Sequence, residues 1–172
     1  MWLQARRNFK SKTTVGPVLI NRDRCVGLVG DAGEVSCGSK SGAIAVLCGM
    51  LLEGEPVLRV QCHCRACQYF SGGAPNLFML VPAEGFAYTK GAPKTYRRPD
   101  KADAVTREFC AVCGTHMISR RPGLRPVVLK VGTLDDPLVY GGAQKAIFTA
   151  EGQPFHLIAD GVPAFEGLPP RQ

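Results

Sequence analysis

Beyond residue 41 the chain is written in short apolar runs, each closed by glycine, proline or an acidic turn. Residues 42–52 (GAIAVLCGMLL) predict a strand, 53–56 (EGEP) a turn and 57–62 the returning strand, so the stretch reads as a hairpin. Residues 77–81 are a strongly apolar strand; 83–85 turn the chain towards a strand over 86–89, and 90–93 turn it again. Strands follow at 105–109, 116–119 and 127–131, with turns at 123–126 and 134–137, and two short candidates lie at 146–149 and 155–159. Only residues 100–107 have the composition for a short helix. Before residue 33 no period is sustained. The pattern predicts a mainly β protein with little helix: one antiparallel domain over residues 34–168, preceded by a poorly ordered extension over 1–33.

Composition agrees. Of 172 residues, 45% are hydrophobic and 20% charged, which excludes disorder throughout. With 20 Gly and 13 Pro the chain favours turns and short strands over long helices. No apolar run approaches the roughly 18 residues of a membrane span, which points to a soluble protein. A net charge of +7 suggests an anionic partner, but six basic residues against one acidic fall before residue 25. The domain itself is nearly neutral, which argues against nucleic acid as its partner and for a solvated basic tail. The tail's longest apolar stretch, 15–20, is interrupted by Gly16 and Pro17 and is too short for a secretory core. A cytoplasmic, reducing location follows, where eight closely spaced cysteines favour metal over disulfides.

The densest chemistry is Gln61-Cys62-His63-Cys64-Arg65-Ala66-Cys67. At the end of a strand, Cys62 and Cys64 share one face and His63 takes the other, while Cys67 swings back after a short turn. Three thiolates can then converge on one ion, the alternatives being a redox pair, a disulfide or unrelated core cysteines. Cys110-Ala111-Val112-Cys113-Gly114 is a C-x-x-C-G turn leaving a strand, with the spacing of a zinc knuckle but only half the ligands a structural site needs.

These segments, with Gly42-Ala43-Ile44, Ser71-Gly72 and Val131-Gly132-Thr133-Leu134-Asp135-Asp136-Pro137, resemble the glutathione-dependent formaldehyde-activating enzyme family, which also includes the centromere-protein V group. The resemblance runs from about Cys37 to Phe165. It implies a β-tent fold, one Zn2+ on Cys62, Cys64 and Cys67 with an open coordination position, and a second, structural zinc between an early C-x-C-G and the late C-x-x-C. The implied activity joins formaldehyde to glutathione and is classed as a carbon–sulfur lyase in reverse. The early pair departs from the family pattern: serine stands at both ligand positions, Ser39 and Ser41, and hydroxyls are poor zinc ligands near neutral pH. The second site is therefore expected to be weak or empty, with Cys110 and Cys113 left to themselves or helped by Cys37.

Zinc on three thiolates carries a net charge of −1, and a fourth thiolate makes it −2, so the site calls for nearby cations or N–H donors. Arg65, between the cysteines, is the cation expected from the sequence, although a solvent-facing arginine fits its position equally well. Ser71, Gly72 and Gly73 offer backbone N–H groups to a substrate carboxylate, or merely a flexible turn. Tyr69 and Phe70 wall the pocket or join the core, and His116 is a substitute ligand or a polar strand residue. The expected partners are a glutathione-like thiol and a small aldehyde. A different class of reading is a non-catalytic, zinc-stabilised interaction module.

Overall fold

The computed structural model describes residues 49–170 in full, and before them the backbone of three short strands: β1 (Val18–Ile20), β2 (Leu28–Val29) and β3 (Val35–Ser36). The remainder of the expected basic extension over 1–33, together with Cys37, Ser39, Ser41 and the expected strand over 42–48, lies outside the described residues. Among the described residues no helix is long and apolar enough to cross a membrane.

The protein is mainly β. Strands β4 (Gly49–Leu52), β5 (Leu58–Cys62), β6 (Asn76–Val81), β7 (Phe86–Lys90), β8 (Pro93–Tyr96), β9 (Thr106–Cys110), β10 (His116–Arg120), β11 (Val127–Lys130) and β12 (Lys145–Ile147) follow in order. Seven form one sheet in the order β12-β5-β6-β11-β10-β9-β8; β1, β4 and β7 form a second, and β2 and β3 a pair of their own. Among the described strands every pairing is antiparallel except β12 against β5, which is parallel; β12 also makes an isolated parallel bridge from Ala146 to Ala164. The expected all-antiparallel sheet is corrected there, because β12 arrives at the sheet edge by a long connection from β11 and enters in the same sense as β5.

The central strands are apolar on both faces, as a sheet covered on both sides requires. On β6, Met79 and Val81 face one way and are fully buried, while Asn76, Phe78 and Leu80 face the other. On β11, Val127 and Leu129 share the first face, Val128 and Lys130 the second. The first face carries the main core: Met79, Val81, Val127 and Leu129 pack with Met50 and Leu52 of β4 and with Met117 and Ile118 of β10. Successive residues Met117 and Ile118 both reach this core because the register slips between His116 and Ile118, a bulge that re-aims the strand. The second face, bare of this core, forms the floor of a cavity.

Two expectations fail. Strands β4 and β5 are no hairpin: they belong to different sheets, and the turn between them hydrogen-bonds instead to the turn joining β6 and β7, Glu53 N–H to Gly85 O at 2.7 Å. Both connections cross between the sheets at one corner, so closely that a Cβ on Gly85 would lie 2.0 Å from Glu53 O. The short helix is not at 100–107, where Pro99 and an Arg98–Asp100 ion pair of 2.5 Å hold a turn and β9 begins. It is α1 (Arg65–Phe70), inside the cysteine segment. The candidate strand at 155–159 is irregular, and β8, which starts at Pro93 where the expected turn ends, had no counterpart among the expected strands.

Candidate metal centre

Strand β5 ends on Cys62, the chain leaves it in extended conformation at Cys64, and α1 starts at once. The amides of Cys67 and Gln68 both donate to Cys64 O, at 2.9 and 3.1 Å, so the first helical turn folds Cys67 back over the strand end. The thiol atoms of Cys62, Cys64 and Cys67 all lie within 4.8 Å of one another. Zinc–sulfur bonds of about 2.3 Å in a tetrahedron put sulfurs about 3.8 Å apart, so the donor set fits a zinc ion in number, chemistry and spacing. No other described His, Cys, Asp or Glu joins the three. Asn76, paired with Cys62 across β5 and β6, donates Nδ2–H to Cys67 Sγ at 3.7 Å.

Crowding sets the acidities of the bare thiols. Hydrogen bonds from Cys62 and Cys67 pull Cys64 well below the ordinary thiol value. The Cys64 bond, then the Cys67 bond and burial, push Cys62 far above it. For Cys67 the Cys62 bond lowers, but the Cys64 bond and burial win and the thiol ends raised. One thiolate held by two thiols is the arrangement a divalent cation replaces, since binding deprotonates all three.

The centre opens on a cavity of about 430 Å³ over the second face of the large sheet. Cys62, Cys64 and Cys67 line it, and His63 does not. Two buried cations border it near the sulfurs. Lys130, 8% exposed, has its ammonium pushed down to about 8 by burial, against the opposing pull of Cys67. Arg107, 6% exposed, has its guanidinium 3.9 Å above the Phe70 ring, and its Nη1 is buried without a hydrogen-bond partner. Burial lowers the Arg107 pKa while Cys67 and Cys64 raise it. Both cations are thus within electrostatic reach of the thiols.

His116 also lines the cavity, its ring 5.8 Å from that of Phe70. It donates Nε2–H to Ile118 O at 3.1 Å, with Ser119 Oγ at 3.0 Å, and burial pushes its imidazole down to about 3. It is therefore a neutral cavity residue. His63, 1% exposed, faces away from the centre and meets His156 at 3.1 Å between Nδ1 atoms. His156 Nδ1 accepts from Gln153 N–H, and its Nε2–H donates to Gly73 O, so the proton between the rings belongs to His63.

Arg65 lies elsewhere than the electrostatic argument expects. Its side chain is exposed, bonds Gln68 Oε1 and stacks 5.0 Å over Tyr69. Its backbone N–H donates to Glu151 Oε2 at 2.7 Å, capping α1. Ser71 closes the same helix: its N–H donates to Cys67 O at 3.0 Å, and its hydroxyl bonds Cys67 O and Ala74 O. That amide is spent within the turn, and neither Ser71 nor Gly72 lines the cavity. Tyr69 is 77% exposed, whereas Phe70 walls the cavity. The residues missed by sequence reasoning are Arg107, beside Glu108 in β9, and Lys130, the one charge in apolar β11, both buried by their sheet position, and Glu151, which has no local signal.

Cys110 and Cys113 pack against the main core on the opposite face of the sheet, so the structure does not bring them to the triplet. Their turn has knuckle form: Gly114 at φ 72° donates to Cys110 O at 3.0 Å, Cys110 N–H to Thr115 O at 2.9 Å, and Cys113 Sγ lies 3.1 Å from Thr115 Oγ1. Their expected helper Cys37 lies outside the described residues.

A β fold holding three convergent thiols at the wall of a cavity defines the class: a protein with a cysteine cluster that could hold a metal ion. The family model of the glutathione-dependent formaldehyde-activating enzyme matches residues 39–151, well over half of the chain, and the chain belongs to that family. No curated protein sequence matches it.

Proposed function

We propose that the protein is a zinc-dependent enzyme of the carbon–sulfur lyase type that interconverts a glutathione-type thiol and a small aldehyde with their hemithioacetal. The observation that carries this reading is the convergence of three thiols at the wall of a cavity beside two buried cations that have no carboxylate partner among the described residues. Bound zinc would supply one thing, a thiol held as thiolate at neutral pH. Everything else is the work of the chain.

Cys62, Cys64 and Cys67, on a strand end and a helical turn, would hold the ion beside the cavity. The thiolate charge that would gather there is balanced by Arg107 and Lys130 in place of Arg65. In the addition, the sulfur–carbon bond forms, the carbonyl pair moves to oxygen, and the proton given up by the thiol ends on that oxygen. No oxidant or reductant is needed. The Arg107 guanidinium, which lines the cavity, donates to the oxygen as its charge grows; Phe70 fixes the guanidinium plane from below. The apolar cavity wall keeps water from competing. The reading as a purely structural zinc module lacks a chain ligand for the fourth position among the described residues.

The test is exchange NMR of formaldehyde with glutathione, with and without zinc-loaded protein. Faster interconversion that is lost in Cys64→Ala supports the reaction; an unchanged rate at near-stoichiometric protein refutes it.

A further inference from the structure

The cavity is longer and more apolar than a one-carbon aldehyde requires. Its floor is laid out in cross-strand rows. The first row holds Ile147, Cys62 and Asn76; the second is Val60 and Phe78, flanked by Lys145 and Lys130; the third is Leu58, Leu80 and Val128. The metal centre therefore sits at one end of a strip of sheet that runs two rows, about 13 Å, over aliphatic and aromatic side chains. Leu58, Leu80, Val128, Ile147 and Phe148 are only partly buried, so this strip keeps apolar surface exposed to the cavity.

Phe148 is built for this cavity. It is the one non-glycine with positive φ, at 56°, among the described residues, and this left-handed backbone turns both Ile147 and Phe148 into the cavity when ordinary strand alternation would admit only one. A backbone strained to add an aromatic ring to an apolar wall is a feature of binding sites more than of cores. A one-carbon aldehyde, little larger than a water with its share of about 30 Å³, occupies a small part of the 430 Å³. Glutathione's amides and charges would find no partners along Val60, Phe78, Leu80 and Val128; they match the exposed lining residues Lys101, Asp103 and Arg121.

Resting on the proposed thiol–aldehyde reaction, we infer that the strip from Val60 to Leu80 and Val128 is a subsite for the hydrocarbon part of the aldehyde. The preferred substrates are then straight-chain aldehydes of up to about six carbons, or benzaldehyde, which lie over the second row and reach towards the third. The carbonyl oxygen stays at the Arg107 guanidinium and the chain lies over Phe78. Bond changes are those of the addition above, with an alkyl group in place of one hydrogen of formaldehyde.

Two measurements on the full-length, zinc-loaded protein test this. The first is calorimetric binding of unreactive carbonyl compounds, the primary amides from acetamide to hexanamide. The expected result is about a three- to fourfold gain in affinity per methylene up to about six carbons, weakened in Val128→Asp. The second is exchange NMR of glutathione with formaldehyde, butanal, hexanal and benzaldehyde, where the protein-dependent acceleration should rise at least tenfold from formaldehyde to hexanal. Affinity and acceleration that are flat with chain length overturn the subsite, even where formaldehyde is turned over. Chain-dependent amide binding without any acceleration supports the subsite and refutes the thiol–aldehyde reaction.

Discussion

Arg107 is the residue on which the proposed chemistry turns. Its guanidinium lines the cavity, lies over Phe70 and has a buried Nη1 without a hydrogen-bond partner, so a substrate oxygen in the cavity gains a charged hydrogen bond. Such a bond contributes about 1.5–3 kcal/mol, so Arg107→Met should lose about 10- to 100-fold in interconversion rate, with zinc content unchanged. Arg107→Lys should recover part of it. Equal rates in all three proteins would remove Arg107 from the mechanism. His116 yields a prediction on stability. Its folded imidazole sits near 3 while an unfolded histidine titrates near 6.5, so below 6.5 the unfolded chain takes up a proton that the folded chain refuses. Stability from this group is complete above 6.5 and is lost as pH falls towards 3, by at most about 1.4 kcal/mol per pH unit. Denaturant melts from pH 7 to pH 4 should show a shallower decline for His116→Gln, which keeps a donor for Ile118 O; parallel declines would contradict the buried neutral imidazole.

At the scale of elements, the cysteine segment is set by parts distant in sequence. A six-residue helix lacks intrinsic stability, and α1 has no side-chain cap of its own; the Glu151 carboxylate, 86 positions from Arg65, supplies it. Gln68 reinforces the joint by donating to His63 O and Glu151 O. Glu151→Ala should cost about 1 kcal/mol in stability and loosen metal binding through Cys67; unaltered chelator competition would show that the helix needs no cap. The corner where the two sheets meet is less forgiving. Gly85→Ala puts a methyl into Glu53 O and should destabilise at the upper end of about 1–3 kcal/mol by urea denaturation, whereas a neutral result would mean that the corner opens freely.

These same elements mark where sequence legibility ends. Alternation located β6, β7, β9, β10 and β11 to within a residue or two, because each has a buried face to declare it. The period-two argument also put Cys62 and Cys64 on one face and His63 on the other. It did not reveal that β4 and β5 join different sheets, since a turn looks the same whether it closes a hairpin or a corner. Helix α1 was hidden because its stability comes from Glu151 and Gln68 contacts. Arg107 and Lys130 were legible only as charges within strands, and their meaning required knowing which sheet face each occupies.

Over the whole molecule, the seven-stranded sheet separates two tasks. One face carries the main core with Met79, Val81, Met117, Ile118 and Leu129; the other carries the cysteine centre and its cavity. Because the larger core does not depend on the metal, chelation should leave the far-ultraviolet circular dichroism in place while abolishing thiol–aldehyde exchange. Loss of all structure on chelation would mean that the ion holds the fold together. The most direct test of the central claim is X-ray absorption at the zinc edge of the full-length protein, with and without added glutathione. Three sulfurs and one lighter ligand, becoming four sulfurs when glutathione is present, is the predicted result. Four sulfurs before any thiol is added, or a spectrum indifferent to glutathione, would contradict it.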